Sequence, residues 1–264
     1  MATVHIDTYH RNHVAMVNYP LLFFLVSMPV LWVAARGGTM LRSARPLETY
    51  ERDDFGIVEA ACLTLLGLFI GFSFSMAISR YDQRKTYEAS EANAIGTEYV
   101  RAELLPTAGA AVVRAQLRQY LGLRILFYRS RSEDELQRIN ADTARLQGEM
   151  WSAVRTSALA QPSFFITLAV SGMNDVLNAQ GYTQAAWWNR IPSSAWALLI
   201  AIAVCGNLMV GYGVRSERTN AGLLFVLPAV VSISFLLIAD IDSPRTGFIH
   251  INPQNLVSLS EELN

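Results

Sequence analysis

The residues suited by type to acid–base or metal chemistry are four histidines, two cysteines and the carboxylates, and their spacing argues against an active site. His5, His10, His13 and His250 lie near the ends of the chain, and none pairs with a thiol or a serine at a catalytic spacing. Asp7, His10 and His13 read as a solvated N-terminal arm in preference to a metal site. Asp240 and Asp242 offer oxygen donors of the kind Ca²⁺ takes, but two acids two apart read as charge closing a helix end. A Walker-type phosphate loop and a Gly-rich dinucleotide fingerprint are both missing. The chain is therefore expected to be no enzyme and to hold no cofactor or metal. A net charge of −1 gives no basic excess for nucleic acid.

Physical chemistry of another kind is concentrated in residues 56–103, GIVEAACLTLLGLFIGFSFSMAISRYDQRKTYEASEANAIGTEYVRAE. The uncharged run 60–79 is about long enough to cross a hydrocarbon core of ~30 Å as a helix, and a dense helical charge pattern follows without a break. One helix is expected to leave the bilayer and enter water. Two stripes can be drawn on its membrane part. Gly67, Gly71 and Ser75 recur every fourth residue, a small face that suits close helix packing. Leu65, Phe69, Phe72 and Met76 form a bulky face. That face suits lipid or core contact, or a hydrophobic constriction that gates by dewetting when several copies surround an axis. Glu59 is expected to avoid the lipid tails, because an acid there is expensive.

The remaining elements must position this helix. Hydrophobic residues make up 52% of the chain and charged residues 16%, with mean hydropathy +0.26 and the apolar residues gathered in blocks. That pattern implies an all-α membrane protein with four transmembrane helices, at about 17–35, 57–79, 192–212 and 221–239. The first apolar block follows a polar start and lacks a clear cleavage site, so it is not read as a signal peptide. Cys62 and Cys205 both fall in spans, so a disulfide framework is not expected. Residues 36–54 read as a polar loop.

The organisation expected is spans 1 and 2 over 17–79, a helical domain over 80–190, spans 3 and 4 over 191–240, and a tail over 241–264. Inside the helical domain, 87–105 and 112–131 are helical, and Ser132 with Glu135 forms a capping box that opens a third helix. Arg114, Arg118, Arg124, Arg129 and Arg131 read as a solvated face, or as one that meets anionic headgroups or draws anions. Residues 164–180 read as an interfacial or packed helix, too short in their apolar part to span. Trp187 and Trp188 mark a membrane boundary, and Asn207 should face a helix or a cavity. Lys and Arg near the span ends are nearly balanced between the two sides, so charge does not fix the orientation.

Residues 71–106, GFSFSMAISRYDQRKTYEASEANAIGTEYVRAELLP, and 240–256, DIDSPRTGFIHINPQNL, resemble the bacterial bestrophin-like membrane family and, more remotely, the bestrophin ion channels. The resemblance implies a multi-pass inner-membrane protein with termini and helical insertion in the cytosol. It implies a homo-oligomer, a pentamer by analogy, in the lipid bilayer and passing inorganic ions. The second span would line the central pore, with Leu65, Phe69, Phe72 and Met76 as its neck. Arg80, Arg84, Glu88, Glu91 and Glu98 would then line a charged vestibule. The dense acidic run that forms the calcium clasp of animal bestrophins is missing after Ala239, which argues against calcium gating. The alternative function is a membrane-anchored sensor or scaffold whose helical domain binds a partner protein.

Overall fold

The computed structural model describes residues 19–46, 48, 50–214 and 221–263. The first two residues of the first expected span, the Asp7, His10 and His13 arm, and the loop at 215–220 lie outside these residues. Eight α-helices form, with a short 3₁₀ turn, Ala102–Leu104, after the second; among the described residues there is no strand. They are α1 Pro20–Ala44, α2 Glu51–Arg101, α3 Thr107–Arg129, α4 Glu133–Ala160, α5 Phe164–Trp188, α6 Ser193–Gly213, α7 Ala221–Asp242 and α8 Gln254–Glu262. Among the described residues, four helical stretches are long and apolar enough to cross a membrane: α1, one in α2, one within Phe164–Gly213, and one in α7.

The chain divides into two compact units. One takes the described residues up to Ser79 together with Arg190–Ile249; the other takes Arg80–Asn189 and the described residues from His250 on. The tail expected over 241–264 is thus divided: residues 241–249 fall in the first unit and the described residues from His250 on in the second.

In the first unit, α1 lies against α6 and α7. Its backbone approaches α6 so closely that a Cβ at Gly38 would overlap the Leu208 carbonyl, and one at Gly211 would overlap the Ala35 carbonyl. Between apolar helices in lipid, such contact replaces the hydrophobic effect as the source of association. Beside it, Phe23 meets Trp196 edge-on at 5.2 Å between centroids and stacks on Phe235 at 5.8 Å. Helix α1 also runs further than its apolar span. It stays helical to Ala44, because Arg42 reaches the last carbonyls of α6, Tyr212 and Gly213, at 3.1 and 3.0 Å. The expected polar loop is shortened accordingly.

In the second unit, α4 buries Leu136, Ile139, Thr143, Leu146, Met150 and Val154, the three- and four-residue spacing of one helix face. That face meets Leu117, Tyr120 and Leu121 of α3 and Ala169 and Met173 of α5 in one core. Each fully buried side chain such as Leu146 stabilises the unit by roughly 1.5–3 kcal/mol. The capping box does not form: Ser132 makes no side-chain cap bond, and Glu135 accepts from Ser130 Oγ at 2.6 Å instead. Helix α5 has the real cap, Ser163 Oγ accepting from Ile166 N at 3.3 Å. It is a continuous 25-residue helix whose inner face is packed, from Ile166 to Trp187. Trp187 is a core residue, edge-on to Phe127 and Tyr128, and only its neighbour Trp188 is exposed.

Candidate functional site

Helix α2 runs 51 residues without interruption, as the passage from apolar to charged helical pattern implies. Its membrane part, residues 57–79, buries Leu66, Ser73 and Ala77, one face set by spacings of seven and four. The bulky stripe lies just beside that face. Leu65, Phe72 and Met76 are exposed and Phe69 is half-buried. The small stripe lies on the far side: Gly67, Gly71 and Ser75 are exposed, and a Cβ at either glycine would meet nothing within 4 Å. Among the described residues nothing lies against either glycine of this stripe, whereas Gly38 and Gly211 make close backbone contacts between α1 and α6, which the spacing on α2 does not reveal. Only 6% of the apolar window of α2 is buried, against 39% for α7.

In the second unit the charged residues of α2 continue its buried face. Arg80 is half-buried, whereas Arg84, Glu88, Glu91 and Glu98 are at most 2% exposed. Arg84 donates through Nε to the Ala186 carbonyl and through a terminal nitrogen to the Asn189 carbonyl, both at 3.1 Å, at the end of α5. Glu88 accepts from Leu256 N at 3.0 Å and Asn255 Nδ2 at 2.6 Å, which places a carboxylate on the N-terminus of α8. Glu91 pairs with Arg124 and accepts from Thr183 Oγ1 at 3.1 Å. Within the protomer these four side chains sit inside the unit: Arg84, Glu88 and Glu91 have partners at the end of α5, on α8 and on α3 and α5, and Glu98 has no hydrogen-bond partner among the described residues.

Arg124 is likewise not part of a solvated basic face. It is fully buried, lies over the Phe127 ring with its guanidinium carbon 4.4 Å from the centroid, and pairs with Glu91. Burial is the largest influence and acts to lower its pKa, but Glu91 together with Tyr120 and Tyr128 raises it on balance. Tyr120 and Tyr128 are pushed above the usual phenol range, chiefly by burial. Burial also pushes Glu98 up to about 8; nearby Asp175 adds to this and Arg101 opposes it.

Asp240 and Asp242 are satisfied by the chain itself. Asp240 accepts from Phe248 N and Ile249 N at 2.6 and 2.9 Å, and Asp242 accepts from Ile191 N at 3.1 Å. Among the described residues no group of three His, Cys, Asp or Glu is placed to hold a metal. Cys62 and Cys205 are free thiols, and Asn207 is fully buried with its amide donating to Ala203 O at 2.8 Å.

Among the described residues, four helical stretches apolar enough to span a bilayer, in an all-helical chain, define a helical membrane protein. Residues 21–256 match the Bestrophin-like domain, and the chain belongs to the bestrophin-like family. Its fold is similar to a crystal structure of a bacterial bestrophin homologue from Klebsiella pneumoniae phased by Zn-SAD, with TM-score 0.62 and 12% identity over 92% of this chain and 96% of that one. A point variant of the Klebsiella homologue gives TM-score 0.63 and 11% identity over 92% and 97%. At such identity the likeness concerns the fold. No curated protein matches the chain.

Proposed function

We propose that this protein is a subunit of an oligomeric ion channel in which the membrane part of α2 from each copy lines a shared axial path. The observation that carries the reading is the exposure of α2: it is apolar through residues 60–79 yet mostly exposed on its own protomer, which buries only Leu66, Ser73 and Ala77 there. A helix so placed needs lipid, neighbouring copies or a pore around it. Its stripes assign these roles. Leu65, Phe69, Phe72 and Met76 form the apolar neck, which passes ions only when wetted. Gly67, Gly71 and Ser75 let the adjacent copy approach. Membership of the bestrophin-like family supports the reading, since bestrophins are ion channels. By the same analogy the protein is a pentamer in the inner membrane, with the helical unit in the cytosol. Purified protein in a planar bilayer is expected to give unitary currents that Phe69→Ala or Phe72→Ala alters; silence at all voltages and with all ions tested would refute it.

A second reading is favoured by the surface of the helical unit. Leu159, Phe164 and Phe165 are exposed, and an open groove of about 580 Å³ between α3 and α4 is lined by Gly109, Val112, Gln116 and Ser157. In a membrane-anchored scaffold these would dock a partner protein. A monomeric particle that retains a cytosolic protein through purification would support this reading over the channel.

A further inference from the structure

Among the described residues of the buried α2 face, Glu98 is the acid whose carboxylate has no hydrogen-bond partner. The residue has no solvent exposure, and neither carboxylate oxygen has a hydrogen-bond partner among the described residues. An ionised carboxylate so placed is costly, whereas the neutral acid is tolerated. The carboxyl presses on α5 at Gly172, where a Cβ would overlap Glu98 Oε2 and lie 2.9 Å from an Arg101 guanidinium nitrogen. Glycine is therefore required for α5 to lie this close to α2.

The charged surroundings are few. On α2 itself Arg101 reaches across to Asp175 of α5 at 3.7 Å, an exposed pair that spans the same contact. From α3, Arg114 pairs with Glu103 and Arg118 donates to Tyr99 Oη at 3.1 Å, so both turn to other groups. Among the described residues, the charges that bear on Glu98 are Arg101, which favours its ionised form, and Asp175, which opposes it, and Arg101 is itself engaged with Asp175.

We propose that Glu98 is a proton-operated latch between α2 and α5: the neutral acid lets α5 close on α2 at Gly172, and loss of its proton releases that contact. The step is a simple proton transfer from the carboxyl to solvent base. It leaves a buried negative charge beside Asp175, relieved when α5 moves off and admits water. Because α2 is continuous with the membrane span, the proton state of the helical unit acts on the same helix that the channel reading places at the pore. The latch itself does not depend on conduction.

The test is hydrogen exchange of the full-length protein in lipid nanodiscs, corrected for intrinsic exchange chemistry. It should be read over residues 164–180 from about pH 7 to about pH 9, which brackets the carboxyl's titration near 8. Wild-type α5 is expected to lose protection by about tenfold or more across that range, while Glu98→Gln, which stays neutral, changes little. Asp175→Asn supplies an independent arm: removing that negative charge and freeing Arg101 should move the transition to lower pH. Equal loss in wild type and Glu98→Gln, no loss in wild type, or an unmoved transition in Asp175→Asn would each overturn the latch.

Discussion

Arg124 on α3 donates through Nε to Glu91 on α2, and neither side chain is exposed to solvent. A charge pair placed this way gains little over two apolar residues, but losing one member strands the other. Glu91→Leu or Arg124→Met alone is expected to cost about 3–5 kcal/mol, and the two substitutions together much less than the sum. Thermal unfolding in detergent, followed by tryptophan fluorescence, measures all three. Additive losses would show that the two residues act separately.

Glu88 holds the N-terminus of α8 through Leu256 N and Asn255. Glu88→Ala removes a charge-assisted bond of about 1.5–3 kcal/mol and should loosen the C-terminal helix without unfolding the core. Limited proteolysis is expected to cut within 254–262 faster in the variant. Equal cutting rates would place the anchor of α8 in Leu256 and Leu259 instead.

Glycine substitutions separate contacts inside the protomer from the proposed contacts between copies. Gly211→Val should abolish folded yield, because even a Cβ overlaps the Ala35 carbonyl. Gly71→Leu should keep the helical content, since nothing lies within 4 Å, yet reduce the oligomer in size-exclusion chromatography. A Gly71→Leu oligomer indistinguishable from wild type would remove this stripe from the interface.

Stability should fall with pH through the Glu98 carboxyl. Its folded-state pKa is raised from 4.5 to about 8, first by burial, so between those values the native state holds a proton that the unfolded chain has released. The contribution is fully present below 4.5, declines as pH rises through the window and is gone above about 8. Comparing thermal midpoints at several pH values, Glu98→Gln should flatten this part of the slope. An unchanged slope would mean that the carboxyl is already ionised at neutral pH.

Much of the scaffold is legible in the chain. The run 60–79 followed by charges on one helical face foretells the single long α2, and apolar length foretells the spans. What the sequence hides is which charges are inside. Glu91 finds Arg124 33 residues away and Thr183 92 residues away, and at a single residue such charges look like a solvated face. Their spacing continues Leu66, Ser73 and Ala77, a signal visible only once burial of that face is known. Trp187 misleads for a related reason: an indole marks a membrane interface only when no aromatic core competes for it, and Phe127 and Tyr128 do. The close approach of α1 to α6 rests on single glycines facing each other, and helix partnership is not written in the spacing along either one.

Whether several copies turn the membrane part of α2 toward a common axis is decided by imaging the purified particle in nanodiscs along its symmetry axis. The expected image is a ring of protomers with Leu65, Phe69, Phe72 and Met76 of each α2 at the narrowest point of a central opening. A lone protomer, or a ring in which those side chains face lipid and the axis is closed by other helices, would contradict it.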